Sequence, residues 1–290
     1  MTTPLTISMA TFDDFDGVFF SVQSLRIYQN LPEGTEFIVL DNNPDSDHGR
    51  QVKHFSRSVP NMRVIDVTDR QSSFVKYDIF EHAKGRIILG LDCHVLLQPG
   101  FIDAMMGYWS QHDTPDLLTG PLWYDDLKHT SEQLDPVWRG HDFGIWGNNK
   151  EGMASGQPFE IPAQGMGCFS FLRSHAPIIS RAFNGFGAEE WYMAEKTRQN
   201  GGKVICHPGM KWNHRFDWPK RTFPINLRDK VMNYYTGWLS VYGSLDHPQM
   251  KAMTEHWKAI VPAAELDSRH PRLARSQISL TFGWRLSGSS

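Results

Sequence analysis

GLDCHVLLQPGF, residues 90–101, follows the apolar residues 87–89 and ends in a Pro-Gly break. The apolar run predicts a buried strand that ends at Asp92, and His94 follows two residues later. Residues two apart on an extended segment point to the same side of the chain. A carboxylate and an imidazole aimed at one point indicate a metal site, a proton relay or a surface hydrogen bond. The rest of the sequence has to distinguish these three interpretations.

Similar apolar runs precede this segment and alternate with helical patterns. The predicted strands cover residues 5–10, 37–40, 62–65 and 86–91, and the helical patterns cover 18–28 and 74–83. This alternation indicates βα units and a largely parallel sheet, hence an α/β fold. In such sheets, ligands bind beyond the carboxyl ends of the strands. Asp41 and the pair Asp92 and His94 follow predicted strands, so we expect them at that edge.

The composition is typical of a globular protein, with 40% hydrophobic residues, 21% charged residues and a net charge of −3. This balance gives no global basic field that would indicate nucleic-acid binding. The N-terminal sequence MTTPLTISMATFDD does not resemble a signal peptide, and no apolar run approaches the ~20 residues of a membrane span. Three widely spaced cysteines without a Cys-x-x-Cys pair argue against disulfides and structural zinc. We therefore expect a cytoplasmic protein without a membrane span.

The second half of the chain is less regular. Between residues 120 and 167, turn formers and aromatic residues replace regular periodicity, which predicts a long irregular binding loop. Further helical patterns cover residues 178–183, 190–199, 228–242 and 250–260. We find no internal repeat and no linker, which predicts one domain with a helical C-terminal extension and a basic tail.

A cation held by Asp92 and His94 needs a third ligand from elsewhere in the chain. His214, in the segment KWNHRF, follows a strand-like run and has cationic neighbours. A divalent cation on a nucleotide diphosphate prefers oxygen ligands, and Mn2+ also accepts imidazole. The residues alone leave open the alternative that Asp92 caps a turn and His94 makes a local hydrogen bond.

Other motifs surround the Asp-x-His pair in a characteristic order. They are an upstream stretch from Arg70 to the turn at 83–85, PAQGMGCFSFLR at 162–173, FGAEE at 186–190, NHRF at 213–216 and TFP at 222–224. This ordered set resembles the GT-A fold glycosyltransferases, specifically the catalytic domain of the polypeptide N-acetylgalactosaminyltransferases and the bacterial and viral family 2 enzymes. The resemblance covers about residues 5–242. It implies a Rossmann-like central sheet, mostly parallel and flanked by helices.

The resemblance implies a division of the chain and a metal-dependent activity. Residues 1–242 would form the catalytic domain, with the nucleotide-sugar half at about 1–97 and the acceptor half and a mobile loop at 98–225; residues 243–290 would form the extension. Mn2+, with Mg2+ as the alternative, would be held by Asp92, His94 and His214. The donor would be a nucleotide sugar, and the same resemblance implies that its nucleotide is UDP.

The resemblance also implies individual roles around the metal. The donor-binding residues would be Asp41, Arg70, Asp92, Gly165, Arg215, Lys220 and Arg221. The catalytic carboxylates would be Glu189 and Glu190, and residues 215–222 would close over the diphosphate. The Asp-x-His pattern favours retention of the anomeric configuration. The neighbouring glutamates leave inversion open, because an inverting enzyme needs a carboxylate base.

The resemblance implies an acceptor with a hydroxyl group, on a glycan, a protein or a small molecule. Candidate acceptor-binding residues are Trp123, Asp125, Trp138 and Trp146. Basic residues in the C-terminal third make modified DNA bases an alternative acceptor. Departures from the family at Phe186, Glu190 and Asp217 favour a second alternative, a GT-A-like domain that binds nucleotides or glycans without catalysis. A metal-dependent phosphoesterase is a third, although the clustered aspartates of two-metal sites are missing from the sequence.

Overall fold

A computed structural model describes residues 3–216 and 223–261 of the chain. Two predicted parts of the chain lie outside these described residues: the basic tail, and residues 217–222 of the predicted mobile loop, which include Lys220 and Arg221. Within the described ranges, no helix is both long enough and apolar enough to cross a membrane.

The described residues form fourteen strands and eight α-helices. The strands are β1 (Leu5–Thr11), β2 (Glu36–Asp41), β3 (Met62–Asp66), β4 (Ile87–Asp92), β5 (Val95–Leu97), β6 (Leu117–Thr119), β7 (Leu122–Trp123), β8 (Thr130–Ser131), β9 (Gln133–Arg139), β10 (Asp142–Gly147), β11 (Phe159–Glu160), β12 (Cys168–Leu172), β13 (Val204–Cys206) and β14 (Trp212–His214). The helices are α1 (Phe15–Tyr28), α2 (Asp47–Ser56), α3 (Ile79–His82), α4 (Phe101–Gln111), α5 (Lys150–Ser155), α6 (Glu189–Gln199), α7 (Leu227–Tyr242) and α8 (Pro248–Ile260).

The central sheet has the strand order β11-β13-β6-β12-β4-β1-β2-β3. Strands β4, β1, β2 and β3 are parallel, and β12 is antiparallel to both of its neighbours. Thr11 pairs with Asp41, and Ala10 pairs with Asp92, so β1, β2 and β4 end at the same edge. The predicted α/β fold, with a mostly parallel central sheet flanked by helices, is confirmed.

Helix α1 begins where the sequence places cap-type residues. The side chain of Asp14 accepts a hydrogen bond of 3.0 Å from the Gly17 amide, an N-cap that stabilises a helix by about 1 kcal/mol. The helix buries Val18, Val22 and Leu25 against the sheet in the largest apolar cluster of the described residues. Because Asp14 also faces the end of β4, the start of α1 becomes part of the ligand-binding edge.

A smaller sheet brings a distant part of the chain to this edge. Its strand order is β5-β14-β7-β8. Strand β14 pairs antiparallel with β5, which places His214 opposite Val95, and the Arg215 amide donates to the His94 carbonyl over 3.2 Å. Since β5 directly follows the Asp-x-His pair, this pairing carries His214 to the end of β4.

Three local predictions need correction. Residues 120–167 are not irregular, because they contain β7 to β11 and α5. The sequence pattern did not predict the hairpin of β9 and β10, because Pro136 and several glycines interrupt the alternation of apolar and polar residues in these strands. The predicted helix at 178–183 does not form: the segment follows Pro177, Ile178 is 92% exposed, and Phe183 is buried against Phe74 without a helical turn. The helix at 74–83 is a 3₁₀ turn, Ser73–Asp78, followed by the short helix α3.

Helix α7, which ends the predicted catalytic domain, and helix α8, which lies in the predicted C-terminal extension, pack together with the hairpin. Trp238 and Trp257 lie in an apolar cluster that joins the two helices, and Trp138 packs against it from β9. The domain boundary at residue 242 stays a prediction.

Candidate active site

A cavity of about 510 Å³ opens at the carboxyl edge of the central sheet. This volume falls within the usual range of small-molecule sites. Its walls come from the ends of β1 and β4, the start of α6, the hairpin of β9 and β10, and β14; among the lining residues are Asn42, Lys76, Asp92, His214 and Glu190. The cavity therefore lies where a doubly wound sheet binds its ligand.

Asp92, His94 and His214 converge at one side of this cavity. One possible ligand atom from each side chain lies within 4.8 Å of the others. Asp92 Oδ2 and His214 Nε2 are 3.4 Å apart, and the two imidazole rings are 4.6 Å apart and nearly perpendicular. A Cβ at Gly167 would lie 3.2 Å from Asp92 Oδ2 and from His214 Cδ2, so the glycine keeps the space beside these atoms open. One carboxylate and two imidazoles fit Mn2+.

Asp14 orients one of these imidazoles. Its Oδ2 lies 3.2 Å from His94 Nδ1, so the metal ligand of His94 would be Nε2. Arg215 pairs with the same carboxylate over 3.0 Å. Burial would raise the pKa of Asp14, but hydrogen bonds with His94 and the Gly17 amide outweigh it and lower the pKa. Asp14 therefore remains a carboxylate that supports the histidine.

Lys76 holds the other face of Asp92. Its Nζ lies 3.0 Å from Asp92 Oδ1 and 3.4 Å from Glu189 Oε1. Burial would raise the pKa of Asp92, but Lys76 and His214 hold it far below its ordinary value. Burial lowers the pKa of His214, which favours the neutral imidazole that binds metals. The protonation states of Asp92 and His214 thus match those of metal ligands.

The two predicted catalytic carboxylates differ in their surroundings. Glu189 is buried. Its carboxylate accepts a hydrogen bond of 2.9 Å from Ser73 Oγ and forms an ion pair with the ammonium of Lys76. Glu190 lines the cavity, and no lysine, arginine or histidine of the described residues forms an ion pair with it. Burial and the neighbouring Glu189 raise the pKa of Glu190 to about 8. Glu190 is therefore the one of the pair that is suited to exchange a proton with a ligand.

The predicted donor-binding residues are distributed unevenly. Gly165 and Arg215 line the cavity. Asp41 lies at the end of β2 behind Asn42, and its buried Oδ2 has no hydrogen-bond partner among the described residues. Arg70 is not part of the cavity lining, because its guanidinium pairs with Asp78. The structure thus brings Gly165 and Arg215 to the metal side, and the donor roles of Asp41 and Arg70 stay predictions.

The predicted acceptor-binding residues separate in a similar way. Trp146 lines the cavity, and its ring covers Gly165. Trp138 stacks on His256 at 4.0 Å and packs against α7 and α8 instead. Trp123 lies on β7 beneath Lys211, and Asp125 is exposed in the following turn; neither is among the residues lining the cavity.

Several cavity residues were not predicted from the sequence. Lys76 lies in the segment SFVKYD, where a lysine among apolar residues is the only sequence signal of its burial. Asn42 lines the cavity and donates to the carbonyl of Arg70 over 2.6 Å, which ties β2 to the loop after β3. Lys230 pairs with Asp142 over 2.6 Å at the hairpin side of the cavity.

The chain matches no protein-family model and no curated protein sequence. Its fold, however, is similar to solved structures. GalNAc-T7, solved with UDP, GalNAc and Mn2+, superposes with a TM-score of 0.64 at 14% identity over 93% of this chain. TarS of S. aureus, in complex with UDP-GlcNAc, gives a TM-score of 0.54 at 12% identity over 90% of this chain. The mannosyltransferase PcManGT of Pyrobaculum calidifontis, with GDP-Man and Mn2+, gives 0.50 at 15% identity over 99% of this chain.

The chain spans 58% of the GalNAc-T7 chain, 77% of the TarS chain and 76% of the PcManGT chain. At these identities the likeness concerns the fold, and the three proteins share the GT-A architecture that the ordered motifs predict. The chain therefore has the GT-A fold.

Proposed function

We propose that this protein is a metal-dependent glycosyltransferase that moves a sugar from a nucleotide sugar, UDP-linked in our proposal, to a hydroxyl group of an acceptor. The observation that carries the proposal is the convergence of Asp92, His94 and His214 in one cavity with Glu190. Support also comes from the GT-A structures named above, which hold UDP with GalNAc, UDP-GlcNAc or GDP-Man, two of them with Mn2+.

The residues around the cavity can divide the work of sugar transfer. A bound divalent cation supplies a Lewis acid that stabilises the departing diphosphate. Asp92, His94 and His214 would hold it, and Arg215, next to His214, adds positive charge on the same side. The base of the donor would lie at the end of β2, where Asn42 lines the cavity and the buried carboxylate of Asp41 lies behind it.

The acceptor hydroxyl needs a group that takes its proton. Glu190 faces the cavity, and its pKa of about 8 makes its ionised form a stronger base than an ordinary carboxylate. A glycosyltransferase that uses this base inverts the anomeric configuration. If the leaving phosphate takes the proton instead, the configuration is retained and Glu190 only binds substrate. NMR of the first-formed product distinguishes the two by its anomeric coupling.

The direct test of the proposed function is a thermal-shift screen of UDP-, GDP- and TDP-sugars with and without Mn2+. We expect a UDP-sugar to raise the melting temperature only when Mn2+ is present, because the diphosphate binds through the cation. At a ligand concentration of 100 Kd, the gain in unfolding free energy is about 2.7 kcal/mol. No shift with any donor in the presence of Mn2+ would exclude the proposed donor site. Binding of a donor without transfer to glycans, peptides or DNA would instead favour the non-catalytic alternative.

Replacing Asp14 by Asn is expected to weaken Mn2+ binding by about tenfold to a hundredfold, the usual effect of losing a carboxylate behind a metal-ligating histidine. Asn keeps an oxygen that can cap α1, so the helix should remain stable. Isothermal titration with Mn2+ measures the change. Asp16→Asn, an exposed position on the same helix, serves as the control and should leave the Kd unchanged. A Kd of Asp14→Asn within twofold of the unmodified chain would show that Asp14 does not support the metal.

A further inference from the structure

Lys76 and Lys230 are buried lysines that line the cavity, and of these two Lys76 is the one that contacts a proposed metal ligand. Its side chain is 9% exposed, and it reaches the cavity from the 3₁₀ turn Ser73–Asp78. Besides Asp92 Oδ1 and Glu189 Oε1, its Nζ contacts the Met166 carbonyl over 3.3 Å. These three acceptors match the three N–H donors of an ammonium group, so Lys76 is fully paired in one fixed position.

The position of Lys76 divides the two oxygens of Asp92 between different partners. Oδ1 faces the ammonium at 3.0 Å, and Oδ2 faces His214 Nε2 at 3.4 Å. A cation bound by Asp92, His94 and His214 would therefore meet Oδ2 alone. To bind the carboxylate through both oxygens, it would have to displace Lys76, which is also anchored by Glu189 and Met166.

The number of carboxylate oxygens matters for the choice of metal. Ca2+ takes six to eight oxygen ligands and commonly binds a carboxylate through both oxygens. Smaller cations prefer octahedral sites, and Mn2+ tolerates imidazole, so one oxygen and two nitrogens suit Mn2+ better than Ca2+. A fixed positive charge beside the site also reduces its attraction for every divalent cation.

We propose that Lys76 is a positioning residue that restricts Asp92 to a single ligating oxygen and thereby makes the site select Mn2+ over Ca2+. This inference rests on the metal site of the proposed function and adds a determinant of metal specificity to it. Lys76 touches no reacting atom in this account; it acts through Asp92.

The test is isothermal titration of Mn2+ and of Ca2+, separately, into the unmodified chain and into Lys76→Met. Removal of the ammonium releases Oδ1 and a positive charge, so both cations should bind more tightly. We expect the Ca2+ affinity to rise by about tenfold and the Mn2+ affinity by no more than about threefold, because Ca2+ gains a second oxygen ligand as well. The selectivity for Mn2+ should therefore fall by about threefold or more.

Two further variants keep the test decisive. Lys76→Arg retains the charge and can donate to both carboxylates, so its selectivity should remain within twofold of the unmodified chain. Lys76→Met/Glu189→Gln removes the buried ion pair as a whole, which avoids an unpaired Glu189 if the single variant fails to fold. It should show the same loss of selectivity as Lys76→Met, since both release Asp92 Oδ1.

The outcomes separate this inference from the function on which it rests. An unchanged ratio of the two Kd values in the folded Lys76→Met or double variant, or weaker Ca2+ binding in either, would overturn the role of Lys76 and leave the metal site intact. A chain that binds neither cation, with or without UDP, would overturn both the metal site and this inference.

Discussion

Asp92→Asn and His214→Ala are each expected to lower kcat/KM for sugar transfer by about a thousandfold or more, which corresponds to about 4 kcal/mol of transition-state stabilisation. Both variants remove a ligand from a three-residue metal site, and the departing diphosphate then loses its Lewis acid. Asp92→Asn keeps the size of the side chain, and Lys76 retains Glu189 and the Met166 carbonyl as partners. Initial rates at UDP-sugar concentrations well below KM, with Mn2+ present, measure the loss in kcat/KM.

Asp125→Asn is the matched control, because Asp125 is exposed and is not among the residues lining the cavity. It should retain full activity. Excess Mn2+ should restore part of the activity of His214→Ala if the lost ligand only weakens metal binding. Activity of folded Asp92→Asn within about threefold of the unmodified chain would mean that the cation is not held by this side chain.

Glu190→Gln is expected to reduce kcat by about a hundredfold to ten-thousandfold, the usual contribution of a positioned general base. The pH profile gives a second measurement. Burial and Glu189 raise the pKa of Glu190 to about 8, and only the ionised carboxylate can accept the proton. The rate of the unmodified chain should therefore rise with pH and level off above about pH 8, and this rise should disappear in Glu190→Gln.

Glu195→Gln is the control for this variant, because Glu195 lies on the same helix and pairs with Arg198 outside the cavity. It should leave the rate and its pH dependence unchanged. If Glu190→Gln keeps both the rate and the pH profile, Glu190 is not the base, which favours proton transfer to the leaving phosphate and retention of the anomeric configuration.

The site residues that lie at the ends of the predicted strands could be located from the sequence. Asp92 ends a buried strand, so its place at the ligand-binding edge follows from the strand pattern, whereas His94 lies in the turn between β4 and β5, where the alternation of an extended segment does not set its direction. Parallel pairing with β1, which lies between them, then places the ends of β2 and β4 at the same edge of the sheet. His214 could be assigned only through the ordered motifs, because its approach depends on the pairing of β14 with β5 across more than a hundred residues.

The supporting residues could not be predicted, because their roles depend on packing between distant elements. Lys76 resembles a surface lysine until the 3₁₀ turn, β4 and α6 meet around it. The sequence around Asp14 predicts a helix cap, and Asp14 does cap α1. Its second contact, with His94, has no signal in the neighbouring sequence. Trp138 illustrates the converse: this aromatic residue, in a segment that resembles a binding loop, stacks on His256 where the hairpin meets α8, and both side chains are partly buried.

The most direct test of the metal site is anomalous diffraction at the manganese edge from crystals grown with Mn2+ and UDP. We expect one strong anomalous peak at coordination distance from Asp92 Oδ2, His94 Nε2 and His214 Nε2, with the diphosphate beside it. Absence of anomalous density at these three side chains, or a strongest peak elsewhere in the cavity, would contradict the proposed centre.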